Sequence, residues 1–337
     1  MNQIIERPVG ETGLAEPLPE GFPGIRHDVE IEAYHAMVGI SKTGLDNINR
    51  SPAHYHALHL DPNRPPPKQR AGQLEGTLAH CAILEPHLFG QRYVVIPSNA
   101  PRKPTEAQWN AAKPSPDSVN AMAWWRDFNS LNQGKTVITG HQYEVAMRQA
   151  DSVRKLHDIN DALGRGMPEV SAMWVDPQTG VLCRCRPDWV ARYGSRAVVL
   201  LDVKTYADAS AHEFARQVAR KRYHVQDAFY SDGYSVASGD DVMGFVFVTV
   251  ESEYPYAASA LMLTERSRAQ GKADYRRNLD TYAECLLRGT WPGYSQEVQP
   301  IDLPAWAMDK PAQDVVGEVE DVFDDETFDQ QRDTWQD

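Results

Sequence analysis

The fold is decided by residues 182–206, LCRCRPDWVARYGSRAVVLLDVKTY, in which two apolar segments flank the short turn YGSR. Apolar, β-branched segments on either side of a short turn that contains Gly are typical of antiparallel neighbouring strands. The segment AVVLL is apolar at every position, which predicts a central strand covered on both faces. Upstream, EVSAMWVD and the turn PQTG predict a further strand. Residues 169–206 are therefore expected to form three consecutive strands.

Charged side chains interrupt the last of these strands near its end. Side chains alternate between the two faces of a strand, so Asp202 and Lys204 point the same way. A carboxylate and an ammonium on a buried strand are costly unless they are paired or bind a metal. Asp188, on the preceding strand, would lie close to Asp202, and a divalent cation is the usual means of keeping two adjacent carboxylates ionised. A structural ion pair between Asp202 and Lys204 is the alternative that these residues leave open.

The spacing of these residues resembles a known active-site signature. Pro-Asp at Asp188, then 13 residues, then Asp-x-Lys is similar to the motif of the PD-(D/E)xK nucleases. The segment QDAFY, with Gln226 and Tyr230, resembles the Gln-x-x-x-Tyr motif of the RecB-like group. Upstream, AGQLEGTLAHCAILEP is predicted to be an amphipathic helix, and its Gly-Thr-x-x-His pattern ending at His80 is similar to one in the same group. The closest resemblance is to RecE-type exonucleases (exonuclease VIII) and their phage relatives, over roughly residues 38–290.

This resemblance implies an α/β fold with a PD-(D/E)xK, restriction-endonuclease-like core: a mixed central sheet flanked by helices, with an N-terminal helical segment. It implies a magnesium-dependent exonuclease that hydrolyses linear duplex DNA, with 5′-to-3′ resection for recombination by single-strand annealing. The implied partners are double-stranded DNA ends, a RecT-like annealing protein and further copies of the chain in a homo-oligomer. The implied setting is the cytoplasm of a bacterium that carries the phage or prophage. The alternatives are a structure-specific or single-strand endonuclease of the same fold and a catalytically silent DNA-binding accessory protein.

Residue roles follow from the resemblance and from phosphoryl-transfer chemistry. The predicted metal ligands are His80, Asp188, Asp202, the Val203 carbonyl and Glu169. The predicted catalytic residues are Asp188, Asp202, Lys204, Gln226 and Tyr230, although Tyr230 could instead be a plain core aromatic. Manganese is expected to substitute for magnesium because one ligand is a histidine.

DNA contacts are predicted mainly on the helix that carries Gln226, a long helix expected from about residue 209 to 237. The residues concerned are Arg216, Arg220, Lys221, Arg222 and Tyr223, together with Arg186 on a strand. Arg186 could equally pair with the site carboxylates. Among the tryptophans, Trp109, Trp124 and Trp125 could stack on DNA, but core packing is favoured for the adjacent pair.

The negative charge is distributed unevenly along the chain. The formal charge of −13 argues against nucleic acid, but residues 309–337 contribute −9 of it and the remainder of the chain is nearly balanced. A local positive groove is therefore compatible with the sequence. The predicted organisation is a poorly ordered leader at 1–37, an exonuclease domain at 38–308 and an acidic disordered tail at 309–337. The domain comprises a helical part, 38–165, and a nuclease core, 166–308, while the tail is either solubilising or a docking segment.

Several other classes of protein are excluded by the sequence. The first residues lack the basic start and apolar run of a secretory signal, and no stretch of 18 apolar residues occurs, which predicts a cytoplasmic protein without a membrane span. Cys81, Cys183, Cys185 and Cys285 are too scattered for a disulfide framework or an iron–sulfur cluster. The histidines at 54, 56 and 59 lack zinc-finger spacing.

Overall fold

The computed structural model describes residues 23–66 and 72–304. Residues 1–22 of the predicted leader and the whole predicted acidic tail, 309–337, lie outside the described residues. The chain divides into two compact units after Gly293. The described part of the second unit, residues 294–304, contains no helix or strand, so the elements below all belong to the first unit. No helix in the described ranges is long and apolar enough to cross a membrane.

The described residues contain ten strands. They are β1 (Gly24–Arg26), β2 (Tyr93–Val95), β3 (Thr136–Ile138), β4 (Gly166–Pro168), β5 (Ser171–Val175), β6 (Leu182–Cys185), β7 (Trp189–Arg192), β8 (Ala197–Tyr206), β9 (Asp241–Glu251) and β10 (Ala258–Met262). The central sheet has the order β10-β9-β8-β7-β4, with β8 and β9 parallel and the other neighbours antiparallel. This mixed sheet confirms the predicted fold class. A second sheet has the order β1-β5-β6, and β2 and β3 form a parallel pair.

Helices surround the sheets. They are α1 (Ile31–Ala36), α2 (Lys42–Arg50), α3 (Pro52–Tyr55), α4 (Gln73–Leu84), α5 (Phe89–Arg92), α6 (Glu106–Trp109), α7 (Pro116–Leu131), α8 (Gly140–Arg154), α9 (His157–Leu163), α10 (Ala211–Lys221), α11 (Tyr223–Ser238) and α12 (Glu265–Arg288). A π-helical turn, His56–Leu60, extends α3, and a 3-10 turn, Pro86–Leu88, precedes α5. Helices α2 and α3 are separate because Ser51 ends α2 and caps α3, where its side chain accepts a hydrogen bond from the His54 N–H.

The central strand β8 is covered on both faces, as its apolar run predicts. Val198 and Leu200 lie in a core cluster with residues of α10, α11 and α12. Leu201 and Val203, on the opposite face, lie in a second cluster with residues of α4 and α8. Alternation along a single strand therefore assigns each helical layer to one face of the sheet.

The segment VLCRCRPDWVAR, predicted as one strand, is two strands in different sheets. Strand β6 pairs with β5, whereas β7 pairs with β8 and β4. Pro187 lies between them, and proline has no N–H to continue a ladder. Asp188 consequently lies at the point where the chain passes from one sheet to the other.

The long helix predicted for residues 209–237 is likewise two helices. Helices α10 and α11 meet at Arg222, whose φ of 55° is in the left-handed region. This conformation is uncommon for a residue with a Cβ, and an ion pair from Arg222 Nε to Asp46 of α2, 3.0 Å long, holds it in place. The predicted DNA-contacting residues before the break therefore lie on a different helix from Gln226, which corrects the expectation of one shared helix.

Residues 23–37 are folded, although the sequence assigned them to a poorly ordered leader. Strand β1 pairs with β5 in the register Gly24 to Met173, and Tyr34 of α1 is buried. Arg184 donates to the backbone carbonyls of Gly39 and Tyr34. These ordering contacts come from residues about 150 positions away, so local periodicity could not reveal them.

The packing of α12 on α11 depends on Gly271, and this can be tested. A Cβ at this position would lie 1.9 Å from the His224 carbonyl oxygen, a backbone atom that cannot rotate away. We expect Gly271→Ala to destabilise the protein by roughly 1–3 kcal/mol or more, measured as a lower thermal midpoint. Gly90→Ala is the matched control, because a Cβ added there would have no atom within 4 Å, and it should be neutral or slightly stabilising. Equal thermal midpoints for the two variants would contradict the packing.

Candidate active site

The end of the β7–β8 ladder organises the candidate site. The register pairs Trp189 with Leu201, so the next two positions on β8, Asp202 and Val203, face Asp188 and Pro187 just beyond β7. Pro187 has no N–H to offer Val203. The Val203 carbonyl instead lies 2.9 Å from His80 Nε2, and the Val203 N–H donates to Asp188 Oδ2 at 2.7 Å. Two predicted site side chains therefore satisfy the backbone groups that the sheet leaves unpaired.

Asp202 is held on both of its carboxylate oxygens. It is 2% exposed, Oδ2 forms an ion pair with Lys204, and Oδ1 accepts from Gln226 Nε2 at 2.6 Å. Burial by itself would lower the pKa of Lys204, but the charges of Asp202 and Asp188 outweigh it and raise this pKa. The Lys204 ammonium therefore stays charged beside a buried carboxylate. Gln226, from the predicted Gln-x-x-x-Tyr motif, orients Asp202 directly.

Asp188 is the group most affected by its surroundings. Burial and, after it, the charge of Asp202 raise the pKa of Asp188 to about 7, while the charge of Lys204 opposes the rise. Asp188 Oδ2 accepts from the N–H of the residue after Asp202, so the charges of the two carboxylates act on each other. Without a cation, Asp188 would be partly protonated at neutral pH.

His80 faces this carboxylate from α4. Its Nδ1 lies 3.6 Å from Asp188 Oδ2. A carbonyl oxygen can only accept a hydrogen bond, so the contact with Val203 places the proton of a neutral ring on Nε2 and leaves a lone pair on Nδ1. Burial, followed by the charge of Lys204, lowers the pKa of His80 and favours the neutral ring. A lone pair that faces a carboxylate requires a proton or a cation between them.

Glu169 completes this cluster from the link between β4 and β5. Its N–H donates to the Asp188 carbonyl at 2.9 Å, and its Oε2 accepts from Arg186 Nε at 2.7 Å. Burial and the charge of Asp188 raise the pKa of Glu169. Ligand atoms of His80, Glu169 and Asp188 all lie within 4.8 Å of one another. Two carboxylates and an imidazole are a donor set that fits a divalent cation.

The five predicted metal ligands thus divide into two groups. His80, Glu169 and Asp188 converge, whereas Asp202 and the Val203 carbonyl lie outside this group, and the Val203 carbonyl contacts the Nε2 of His80. The carboxylate of Asp202 has Lys204 and Gln226 on its oxygens. The predicted pairing of Asp188 with Asp202 is therefore an electrostatic one in this structure, and the convergent donors come from three separate elements.

The predicted DNA-contacting residues fall into two groups, one exposed and one held by contacts within the protein. Arg216, Arg220 and Lys221 of α10 are exposed, and Arg216 forms a surface ion pair, 3.3 Å long, with Glu213 of the same helix. Arg222 pairs with Asp46, and Arg186 binds Glu169 and the Val29 carbonyl. Tyr223, the first residue of α11, has its hydroxyl 2.5 Å from that of Tyr206. Arg186, Arg222 and Tyr223 thus already have partners within the protein.

Most of the aromatic residues considered for the site pack within the protein. Tyr230 is partly buried, and its ring contacts Phe245 edge to face with the centroids 6.2 Å apart. Trp125 is buried and donates from Nε1 to the Pro101 carbonyl at 2.9 Å. Trp124 stacks on Phe128 at 5.0 Å, while Trp109 is 38% exposed.

One aromatic neighbour of the site was missed from the sequence. Tyr34 lies in the predicted leader, and its ring centroid is 4.8 Å from the guanidinium of Arg184 and 5.5 Å from that of Arg186. Because Arg186 holds Glu169, Tyr34 supports one wall of the cluster. Its only local signal is an aromatic residue in a short helix, which does not distinguish it from a surface tyrosine.

The mixed sheet and the Asp188, Asp202 and Lys204 arrangement define a domain of the PD-(D/E)xK nuclease class. Residues 41–304 match the family described as a PDDEXK-like domain of unknown function (DUF3799), and the chain belongs to this family. No curated protein matches the sequence.

Two solved structures are similar in part. A Eubacterium rectale protein, provisionally named an exonuclease, is 11% identical with a TM-score of 0.49, over 82% of this chain and 97% of that one. The protein SSO0001 is 14% identical with a TM-score of 0.24, over 42% of this chain and 66% of that one. Neither similarity bears on the function of this chain.

The raised pKa of Asp188 predicts a specific dependence of stability on pH. In EDTA, the stability that the Asp188 carboxyl contributes is fully present below the ordinary pKa of Asp. It is lost as the pH rises through about 7. We expect the thermal midpoint to fall between roughly pH 5 and pH 8. Added Mg²⁺ or Mn²⁺ should restore much of the loss at the upper end, because the cation would replace the proton.

Asp188→Asn isolates this contribution, because the amide does not titrate. The variant should lose the part of the fall that is centred near pH 7 and the response to metal, whereas Asp158→Asn, at a fully exposed position on α9, should keep both. Thermal melts of the three proteins across pH measure the effect. A pH profile of Asp188→Asn that superimposes on the unsubstituted protein would rule out Asp188 as the titrating group.

Proposed function

We propose that the protein is a divalent-metal-dependent deoxyribonuclease that acts as an exonuclease on linear duplex DNA. The observation that carries this proposal is the buried Asp202 carboxylate, with Lys204 on one oxygen and Gln226 on the other, beside the convergent His80, Glu169 and Asp188. A purely structural ion pair between Asp202 and Lys204 would not require a second cluster of titratable groups at the same end of the sheet.

The proposed cofactor is Mg²⁺, with Mn²⁺ as an effective substitute because one donor is an imidazole. His80, Glu169 and Asp188 would hold it, with Asp202 and the Val203 carbonyl as the further predicted ligands. When bound, a divalent cation supplies charge neutralisation at the phosphate and a lower pKa for a coordinated water.

The protein side chains have distinct proposed roles around the scissile phosphate. The Lys204 ammonium, charged and 19% exposed, would orient the attacking water and stabilise charge developing on the phosphate. Gln226 holds Asp202 in the orientation that keeps Lys204 in place. Tyr230, four residues along α11, would position this helix against the strand being cut.

DNA is proposed to run along α10. This helix begins shortly after β8 ends, at the edge of the sheet where Lys204 lies, and exposes Arg216, Arg220 and Lys221. Phosphate contacts of this kind hold the nucleic acid in register without reading its sequence. Because Arg186, Arg222 and Tyr223 have intramolecular partners, we assign them a supporting position in place of the predicted DNA contact.

The finer specificity is proposed from the sequence resemblance. It comprises resection from 5′ ends, a role in single-strand-annealing recombination with a RecT-like partner, a homo-oligomeric assembly and a phage or prophage origin in the bacterial cytoplasm. A structure-specific or single-strand endonuclease and a silent DNA-binding accessory protein are the competing functions that the next experiments separate.

Asp202→Ala tests the catalytic assignment. Removing the carboxylate that holds Lys204 should reduce degradation of linear duplex DNA by at least about 100-fold, while DNA binding measured by fluorescence anisotropy persists. Asp241→Asn is the control, since Asp241 is exposed at the first position of β9, the opposite end of the sheet from the site. Retention of cleavage by Asp202→Ala would show that the site is misassigned.

Substrate topology tests the exonuclease assignment. With Mg²⁺, linear duplex DNA should be degraded and covalently closed circular duplex should remain intact, because an exonuclease requires an end. Substrates with phosphorothioate linkages at only the 5′ or only the 3′ termini should be protected by the 5′ modification. Cutting of the closed circle would favour the endonuclease, and binding without any cleavage would favour the accessory protein.

A further inference from the structure

Tyr223 contacts two lysine ammonium groups at the edge of the candidate site. Lys204 Nζ lies 5.2 Å from its ring centroid, and Lys42 Nζ lies 5.6 Å from the same centroid. The π face of an aromatic ring attracts a cation, most strongly where water is partly excluded. The Lys204 ammonium therefore contacts the carboxylate of Asp202 and the ring of Tyr223, and both attract it.

The ring itself has little freedom to move. Its hydroxyl lies 2.5 Å from the hydroxyl of Tyr206, which is on the same face of β8 as Lys204. Phe214 of α10 stacks on the ring at 5.8 Å, and Phe247 of β9 contacts it at 5.6 Å. Both the plane and the end of the ring are thus fixed by neighbours on separate elements.

Lys42 fixes the chain on the other side of Tyr223. Its ammonium is 2.7 Å from Asp46 Oδ2 and donates to the Lys221 carbonyl at 2.6 Å. Asp46 in turn pairs with Arg222 at 3.0 Å. The break between α10 and α11 is therefore held from α2, and this break determines where the ring of Tyr223 lies.

We propose that Tyr223, whose ring packs against Phe214 and Phe247, is a positioning residue for Lys204 and not the DNA contact that the sequence suggested. A lysine side chain has a flexible four-carbon stem, and its ion pair with Asp202 constrains only the ammonium. The ring supplies the second constraint that keeps this ammonium directed at the phosphate. The inference rests on the proposed nuclease function.

Single-turnover cleavage of linear duplex DNA separates the two roles. Tyr223→Leu, which removes the π face, should lower the rate at saturating enzyme by about 10- to 30-fold and leave the dissociation constant for DNA within about twofold. Tyr223→Phe and Tyr206→Phe keep the ring and remove only a hydroxyl, so they should recover most of the rate. Tyr193→Leu is the matched control: its ring contacts Arg165 at 5.2 Å, but it lies in the turn between β7 and β8, away from the site.

Two kinetic outcomes would overturn the inference. Weaker DNA binding with an unchanged saturating rate for Tyr223→Leu would make Tyr223 a DNA contact. Equal loss of rate in Tyr223→Leu and Tyr223→Phe would assign the effect to the hydroxyl. Thermal melts of all variants identify any that do not fold.

A spectroscopic measurement tests the geometry without relying on cleavage. In protein labelled at lysine Cε, the Lys204 signal, assigned by its disappearance in Lys204→Arg, should carry a ring-current shift. This shift should be lost in Tyr223→Leu and kept in Tyr223→Phe. If the protein cleaves no DNA but the shift behaves as expected, the proposed function fails and the packing holds; if it cleaves DNA and no shift is lost, the positioning role fails alone.

Discussion

The site depends on the absence of one backbone N–H. The ladder between β7 and β8 ends at Trp189 and Leu201, so the N–H and carbonyl of Val203 need other partners on this side, and Pro187 has no N–H to donate to that carbonyl. Asp188 accepts a hydrogen bond from the Val203 N–H, and His80 contacts the Val203 carbonyl. The Pro-Asp dipeptide therefore ends the sheet and provides the replacement acceptor in consecutive residues, and it brings α4 against the same point.

Burial of Asp202 imposes the second constraint. An ionised carboxylate at 2% exposure is unfavourable unless its oxygens are paired. Lys204, two residues along β8, supplies the charge, and Gln226 supplies the hydrogen bond, which requires α11 to pack close to the strand. The break at Arg222 makes this approach possible, because α10 and α11 can then take separate directions.

Local patterns predicted the central strand, helix α4 and the site motifs, because each depends on alternation, helical spacing or short-range residue order. The division of VLCRCRPDWVAR between two sheets was not predictable, since apolar residues alternate on both sides of Pro187. The break at Arg222 was hidden because helix-favouring residues continue across it. The folding of residues 23–37 depends on Arg184, and the role of Val203 depends on its backbone, so neither leaves a side-chain signal in the sequence.

The contact between His80 and Val203 joins residues 123 positions apart. Contacts of such long range are slow to form, because a large loop must close before they contribute any stability. A growing chain that has folded α4 and α8 has one of the convergent donors, and Glu169 and Asp188 emerge only with the later strands. The proposed metal site is thus a property of the completed fold, and partly synthesised chains would not contain the assembled cluster of His80, Glu169 and Asp188.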